Sequence, residues 1–150
     1  MGKLGEGWVL LQLVLFLLIA AAPLVVESYP FPPWLRILGA LILFAGVALA
    51  TLGLRALGPS LSPFPKPVDE GQLVTTRIYG IVRHPIYAGL IIGAVGWALL
   101  TGTLLGLALA ILLFLFFDVK SRREERWLVQ KYAGYVAYRG RVRKLIPWLY

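Results

Sequence analysis

Two short stretches hold most of the side chains able to do chemistry in this 150-residue chain. The first is Arg83-His84-Pro85-Ile86-Tyr87-Ala88-Gly89. Proline is favoured at the first helical position, where its missing N–H would be unpaired anyway, so Pro85 marks a helix start with His84 just before it. The free N–H groups and dipole at such an end attract an anion or a carboxylate. Gly89, one turn in, allows close backbone approach. The alternative is a juxtamembrane cap in which Arg83 reaches out to lipid phosphate. The second stretch is Lys120-Ser121-Arg122-Arg123-Glu124-Glu125-Arg126-Trp127-Leu128. Lys120 and Glu124 stand four apart, as do Ser121 and Glu125, and on a solvated helix such pairs are worth a few tenths of a kcal/mol. Adjacent carboxylates followed by Trp127, Leu128 and Tyr132 equally suit the wall of a site. Tyr132, Tyr135 and Tyr138 recur every third residue, a spacing that broadly follows one helix face.

What is missing narrows the chemistry. Without cysteine there is no thiolate nucleophile, disulfide scaffold, zinc-finger cluster or Cys-ligated iron–sulfur centre. A single histidine makes a His-rich metal site improbable, and no metal is expected. With 59% hydrophobic and only 15% charged residues, the chain fits neither a soluble globular domain nor a disordered one. A net charge of +8 would suggest nucleic acid in a soluble protein, but in a membrane protein it suggests a face lying on anionic lipid.

The placement of charge supports the membrane. Trp8 to Val26 is 19 residues without a charge, Ile37 to Leu54 is 18, and Ile86 to Phe117 is 32. About 20 apolar residues cross roughly 30 Å of hydrocarbon, so the first two runs are one helix each. The third would reach about 48 Å, and a break at Thr101-Gly102-Thr103 turns it into a hairpin. The reading is all-α: a polytopic bundle with spans at about 8–26, 34–55, 85–100 and 103–120, a loop 56–84 and a C-terminal segment 121–150. With both termini inside, 14 Lys and Arg are cytoplasmic (Lys3 among them) and only Arg36 is external, a strong positive-inside pattern. Residues 1–22 are read as the first span rather than a cleaved leader, since Glu6 offsets Lys3 and Pro23 would follow the cut. Trp8, Trp34, Trp127 and Trp148 fall at interfaces as aromatic anchors. Gly39, Gly46 and Gly53 mark one face of the second span. Gly89/Gly93 and Gly102/Gly106 have GxxxG spacing, and all suit close helix packing.

Between the second and third spans, Gly58 to Pro67 carries four prolines and reads as stiff and extended rather than helical. The β-branched, apolar residues Leu73 to Val82 that follow need something to pack on, so this loop reads as a lid or wall. Beyond the last span, Asp118 to Leu128 contains no helix breaker and projects into the interface. Arg139, Arg141, Arg143 and Lys144 read as an anionic-lipid contact.

These blocks resemble a known family. Pro65-Lys66-Pro67, Leu73-Val74-Thr75, Tyr79 and Val82-Arg83-His84-Pro85-Ile86-Tyr87-Ala88-Gly89 are similar to one signature of the isoprenylcysteine carboxyl methyltransferases and their bacterial relatives, which include phospholipid N-methyltransferases. Glu124-Glu125-x-x-Leu128, Tyr132, Gly134-Tyr135, Tyr138-Arg139, Arg141, Arg143 and Leu145-Ile146-Pro147 are similar to the C-terminal block. The resemblance covers roughly residues 57–150. It departs at Arg77 (usually Gly), Ile78 (often Pro) and Ala133 (often Pro or Gly).

The resemblance implies an S-adenosylmethionine-dependent methyltransferase. Its pocket at the cytoplasmic face lies between the loop and the helix after the last span, and a lipidic acceptor enters sideways between helices. Cofactor contacts would match Leu73, Val74, Tyr79, His84, Pro85, Tyr87 and Glu124. A basic residue one turn before the first Glu orients the substrate in family members, and here it is Lys120. Such transfer needs no metal, only orientation, water exclusion and anionic groups near the cofactor's positive ends. His84 would hold the cofactor carboxylate and Glu124 its amino group or ribose, while Tyr79, Tyr87, Leu73 and Val74 would wall the adenine. Glu125 and Lys120 would face the nucleophile. The expected partners are membrane lipid and a lipidic or small amphipathic acceptor, without nucleic acid. The rival readings are a sterol-reductase-like enzyme using a nicotinamide cofactor and a non-enzymatic scaffold; the scaffold predicts more polar residues inside the spans than Gln12, Thr51, Thr101 and Thr103.

Overall fold

A computed structural model describes residues 5–147 and 149–150; Lys3 and Trp148 lie outside the described residues. Five α-helices appear among them: α1 (Glu6–Val25), α2 (Pro33–Leu57), α3 (Pro85–Thr101), α4 (Leu104–Lys131) and α5 (Tyr135–Arg141). Two 3₁₀ turns, Gly58–Ser60 and Arg77–Gly80, sit in the α2–α3 connection, and no strand is found among the described residues. Helices α1, α2 and α4 are long and apolar enough to cross a membrane. Helix α3 is equally apolar but has 17 residues, a rise of about 26 Å. At 28 residues α4 is about 42 Å long, so its charged last turns stand beyond roughly 30 Å of hydrocarbon.

Helices α2 and α3 make the most extensive contact of any pair, and glycine allows it. A Cβ on Gly39 would stand 2.5 Å from the Leu100 backbone nitrogen, and one on Gly89 2.5 Å from that of Ala50. Backbones this close gain van der Waals contact that a hydrophobic effect cannot supply within lipid. On the other side of α3, Leu15, Ile19, Ala94, Ala110, Leu113, Phe116 and Phe117 form a core shared by α1, α3 and α4. Pro23 has no N–H to offer the carbonyl of Ile19, four residues back, and the indole N–H of Trp97 donates to that oxygen instead at 3.1 Å. Gly102 separates α3 from α4 at φ +71; its carbonyl accepts the Tyr29 N–H at 2.7 Å.

Three expectations change. Gly58-Pro59-Ser60 is a 3₁₀ turn, because Pro59 can occupy an early helical position once Gly58 leaves α2 at φ +50. Tyr132, Tyr135 and Tyr138 do not share one helix. Tyr132 is extended (φ −120, ψ 111) and ends α4, and α5 starts afresh at Tyr135. Lys144 does not face lipid: it is 7% exposed and pairs with Asp118 at 2.5 Å, while the Tyr150 hydroxyl donates to the same carboxylate at 2.6 Å.

Arg77, which stands where the resembled signature has glycine, keeps a left-handed φ of +55. That region costs a residue with a Cβ roughly 1–2 kcal/mol. Arg77→Gly is therefore expected to leave stability unchanged or raise it by about 1 kcal/mol, read from thermal unfolding in micelles. A loss of that size would mean the arginine side chain holds the turn.

Candidate functional site

The site begins with backbone pairing that no local pattern reveals. Val82 forms a parallel bridge with Arg143, so the Arg83 N–H donates to the Arg143 carbonyl at 2.8 Å and that of His84 to the Lys144 carbonyl at 3.1 Å. The C-terminal tail thus fixes the residues that open α3.

The side chains then turn inward. The Arg83 guanidinium does not reach toward lipid. It donates to Glu125 Oε1 at 2.8 Å, to the Arg139 carbonyl at 3.2 Å and to the Val142 carbonyl. His84 Nε2 lies 3.1 Å from the same Glu125 oxygen, and because an ionised carboxylate only accepts, that nitrogen carries the proton. Arg139 Nε stands 3.5 Å from the other Glu125 oxygen. Glu125, 4% exposed, is therefore enclosed by three basic groups and serves as the anchor of His84. The free His84 nitrogen, Nδ1, lies 3.8 Å from Glu124 Oε2, to which the Tyr87 hydroxyl donates at 2.8 Å. The Tyr87 ring stacks on both His84 and Phe117, at centroid distances of 5.4 and 4.4 Å. The helical pairs Lys120–Glu124 and Ser121–Glu125 do not form. Glu124 and Glu125 are taken up by α3 and the segment before it, and the Ser121 hydroxyl bonds the Asp118 carbonyl.

The connection between α2 and α3 closes over this end of the bundle. The Tyr132 hydroxyl donates to the Gly71 carbonyl and that of Tyr138 to the Tyr79 carbonyl, both at 2.6 Å. Lys131 bonds the carbonyls of Val68 and Asp69. Beneath lies a cavity of about 560 Å³, within the range of small-molecule sites. Seven of the nine residues singled out from the sequence line it: Leu73, Val74, Tyr79, His84, Tyr87, Lys120 and Glu124. Pro85 and Glu125 do not; Pro85 starts α3, and Glu125 stands behind His84.

Other wall residues carried a weaker signal in the sequence. Gln12 of α1 was visible there only as the lone amide of a charge-free run, and Arg83 was open to a lipid-facing reading. Tyr132, Tyr135 and Tyr138 also line the cavity, from two different elements. Burial first, and then the charge of Glu124 and neighbouring Tyr138, raise the pKa of Tyr79. Burial likewise dominates the upward shifts of Tyr135 and Tyr138. These three hydroxyls stay protonated near neutral pH, so they are available as donors rather than bases, and that of Tyr138 donates to the Tyr79 carbonyl.

The Tyr135 hydroxyl is buried with no hydrogen-bond partner among the described residues, although the residue is part of the cavity wall. A polar group left unpaired in this way costs about 1–3 kcal/mol. Tyr135→Phe is expected to stabilise the ligand-free protein by about 1 kcal/mol and to weaken a polar ligand, as thermal unfolding with and without that ligand would show. Destabilisation in both states would place the missing partner within the protein itself.

The comparisons with known proteins agree with one another. Residues 34–134 match the sequence model of the phospholipid methyltransferase family. A protein-S-isoprenylcysteine O-methyltransferase of Saccharomyces cerevisiae is 33% identical over 117 residues, which is 75% of this chain and 49% of that protein. Protein-S-isoprenylcysteine O-methyltransferase B of Arabidopsis thaliana is 28% identical over 144 residues, 90% of this chain and 73% of that protein. A Schizosaccharomyces pombe protein-S-isoprenylcysteine O-methyltransferase is 39% identical over 77 residues, 50% of this chain and 33% of that protein. The chain thus spans about half the length of the Saccharomyces relative.

Proposed function

Because the chain belongs to the phospholipid methyltransferase family, we propose that it is an integral-membrane, S-adenosylmethionine-dependent methyltransferase acting on a lipidic acceptor at the cytoplasmic face. The observation that carries this reading is the meeting of His84, Tyr87 and Glu124, from the two motif blocks, on one cavity wall.

The residues present fit such a cofactor. The free N–H groups at the start of α3 suit a carboxylate, and His84 Nδ1, left as an acceptor by the Nε2–H bond to Glu125, suits an ammonium or a hydroxyl instead. Pro85 starts that helix without leaving an unpaired N–H of its own. Glu124, with one oxygen bonded to Tyr87, has acceptor capacity left for an ammonium or ribose hydroxyl. Leu73, Val74, Tyr79 and Tyr87 supply the apolar and aromatic wall an adenine needs, and the orphaned Tyr135 hydroxyl offers a further donor. When bound, S-adenosylmethionine supplies a methyl group on a sulfonium, reactive enough for transfer to a nucleophile without a metal.

The chain's own contribution is placement and exclusion of water. The loop held by Tyr132, Tyr138 and Lys131 covers the cavity, and Lys120 marks the end toward the bundle where an acceptor would arrive. The reading requires four crossings with both termini in the cytoplasm, α3 being the shortest. Isoprenylcysteine carboxylate and phospholipid amine are the two acceptor classes at issue. The Lys120 ammonium has no carboxylate within ion-pair distance among the described residues, which favours an anionic acceptor.

The test is incubation of purified protein with methyl-labelled S-adenosylmethionine and membrane extracts, followed by mass spectrometry of the labelled products. Label on a prenylated cysteine carboxylate or a lipid headgroup is the expected result. No transfer, together with binding of a nicotinamide cofactor, would overturn the reading in favour of a reductase.

A further inference from the structure

Gln12 lies in α1, outside the stretch matched by the family, and is the amide that interrupts 19 charge-free residues. A hydrogen-bonding side chain inside an apolar segment is costly unless it has a partner there. Its partner is Lys120 of α4, 1% exposed, whose Nζ donates to Gln12 Oε1 at 2.5 Å. The same ammonium lies 3.4 Å from the Pro63 carbonyl and 5.3 Å from the centre of the Tyr87 ring. Gln12 and Lys120 both line the cavity. An ammonium has three donors, and these two oxygens leave one for a ligand.

The neutrality of these acceptors matters. A carboxylate at position 12 would cancel the charge that the cavity presents. An apolar residue would release Lys120 toward Glu124, one turn further along α4. The amide does neither. We propose that Gln12 is a positioning residue that holds the Lys120 ammonium, un-neutralised, toward the acceptor end of the cavity and thereby sets a preference for a carboxylate-bearing amphipath over its neutral analogue.

The turnover part of this inference rests on the methyltransferase reading; the binding part does not. The probes are N-acetyl-S-farnesylcysteine and its carboxamide, titrated calorimetrically into the full chain in micelles. A charge-assisted hydrogen bond implies that wild type binds the carboxylate roughly tenfold tighter than the carboxamide. Gln12→Glu should bring the two affinities together, Gln12→Leu should reduce the ratio, and Gln12→Asn should recover part of it. In turnover, the acceptor KM should rise about tenfold in Gln12→Glu, with kcat and the cofactor KM changing much less. Should Gln12→Glu not fold, the Leu and Asn variants are read by the same ratio. An unchanged ratio in the variants, or none in wild type, overturns the inference. Failure of wild type to bind S-adenosylmethionine would instead overturn the proposed function, leaving the amphipath ratio to decide the role of Gln12.

Discussion

Arg83→Leu is expected to cost about 3–5 kcal/mol of stability, because it leaves a buried carboxylate without its principal partner. Glu125 is 4% exposed and Arg139 only a distant neighbour at 3.5 Å, so His84 alone would remain to compensate it closely. The carbonyls of Val142 and Arg139 would lose their donor at the same time, and with them a tie between the tail and α3. The check is thermal unfolding of the purified variant beside the double variant Arg83→Leu/Glu125→Leu. The double variant should recover part of the loss, since it removes the stranded charge together with its partner. A single variant within about 0.5 kcal/mol of wild type would return Arg83 to a lipid-facing role.

Glu124→Ala should act on binding rather than on the fold. Glu124 is half-buried, and the bond it loses in the protein is the one from Tyr87. Against a cationic amino group, a charge-assisted hydrogen bond is worth about 1.5–3 kcal/mol, a loss of roughly 10- to 150-fold in S-adenosylmethionine affinity. His84→Ala should fall in the same range, through loss of the Nδ1 acceptor that stands beside Glu124 at the start of α3. Calorimetric titration of both variants decides the matter, and unchanged affinity in both would remove this wall from the cofactor site. Glu125→Gln gives the contrast: as a residue behind His84, it should weaken binding less than Glu124→Ala and lower stability more.

The helices were readable because lipid imposes a rule on single residues: long charge-free runs must be helical, and a break is needed where a run exceeds the membrane. The pairing of His84 with Glu124 was legible only as two motifs of the resembled family, since nothing local links positions forty residues apart. Glu125 shows the limit. Its neighbours in sequence suggested a helical partner in Ser121 or a place facing the acceptor, whereas its partners come from the segment before α3 and from α5. Lys144 misled for a similar reason, because a basic run reads as surface until Asp118 is seen beneath it. The tyrosines at 132, 135 and 138 converge on the cavity, but through a break after Lys131 that periodicity could not reveal.

The central claim is that the hollow under the α2–α3 connection holds the methyl donor. Photo-crosslinking of radiolabelled S-adenosylmethionine to the purified protein, with peptide mapping and competition by unlabelled S-adenosylhomocysteine, tests it most directly. The account predicts competed label within the peptides spanning 73–87 and 120–138. Competed label confined to other peptides, or label that the competitor does not displace, would contradict it.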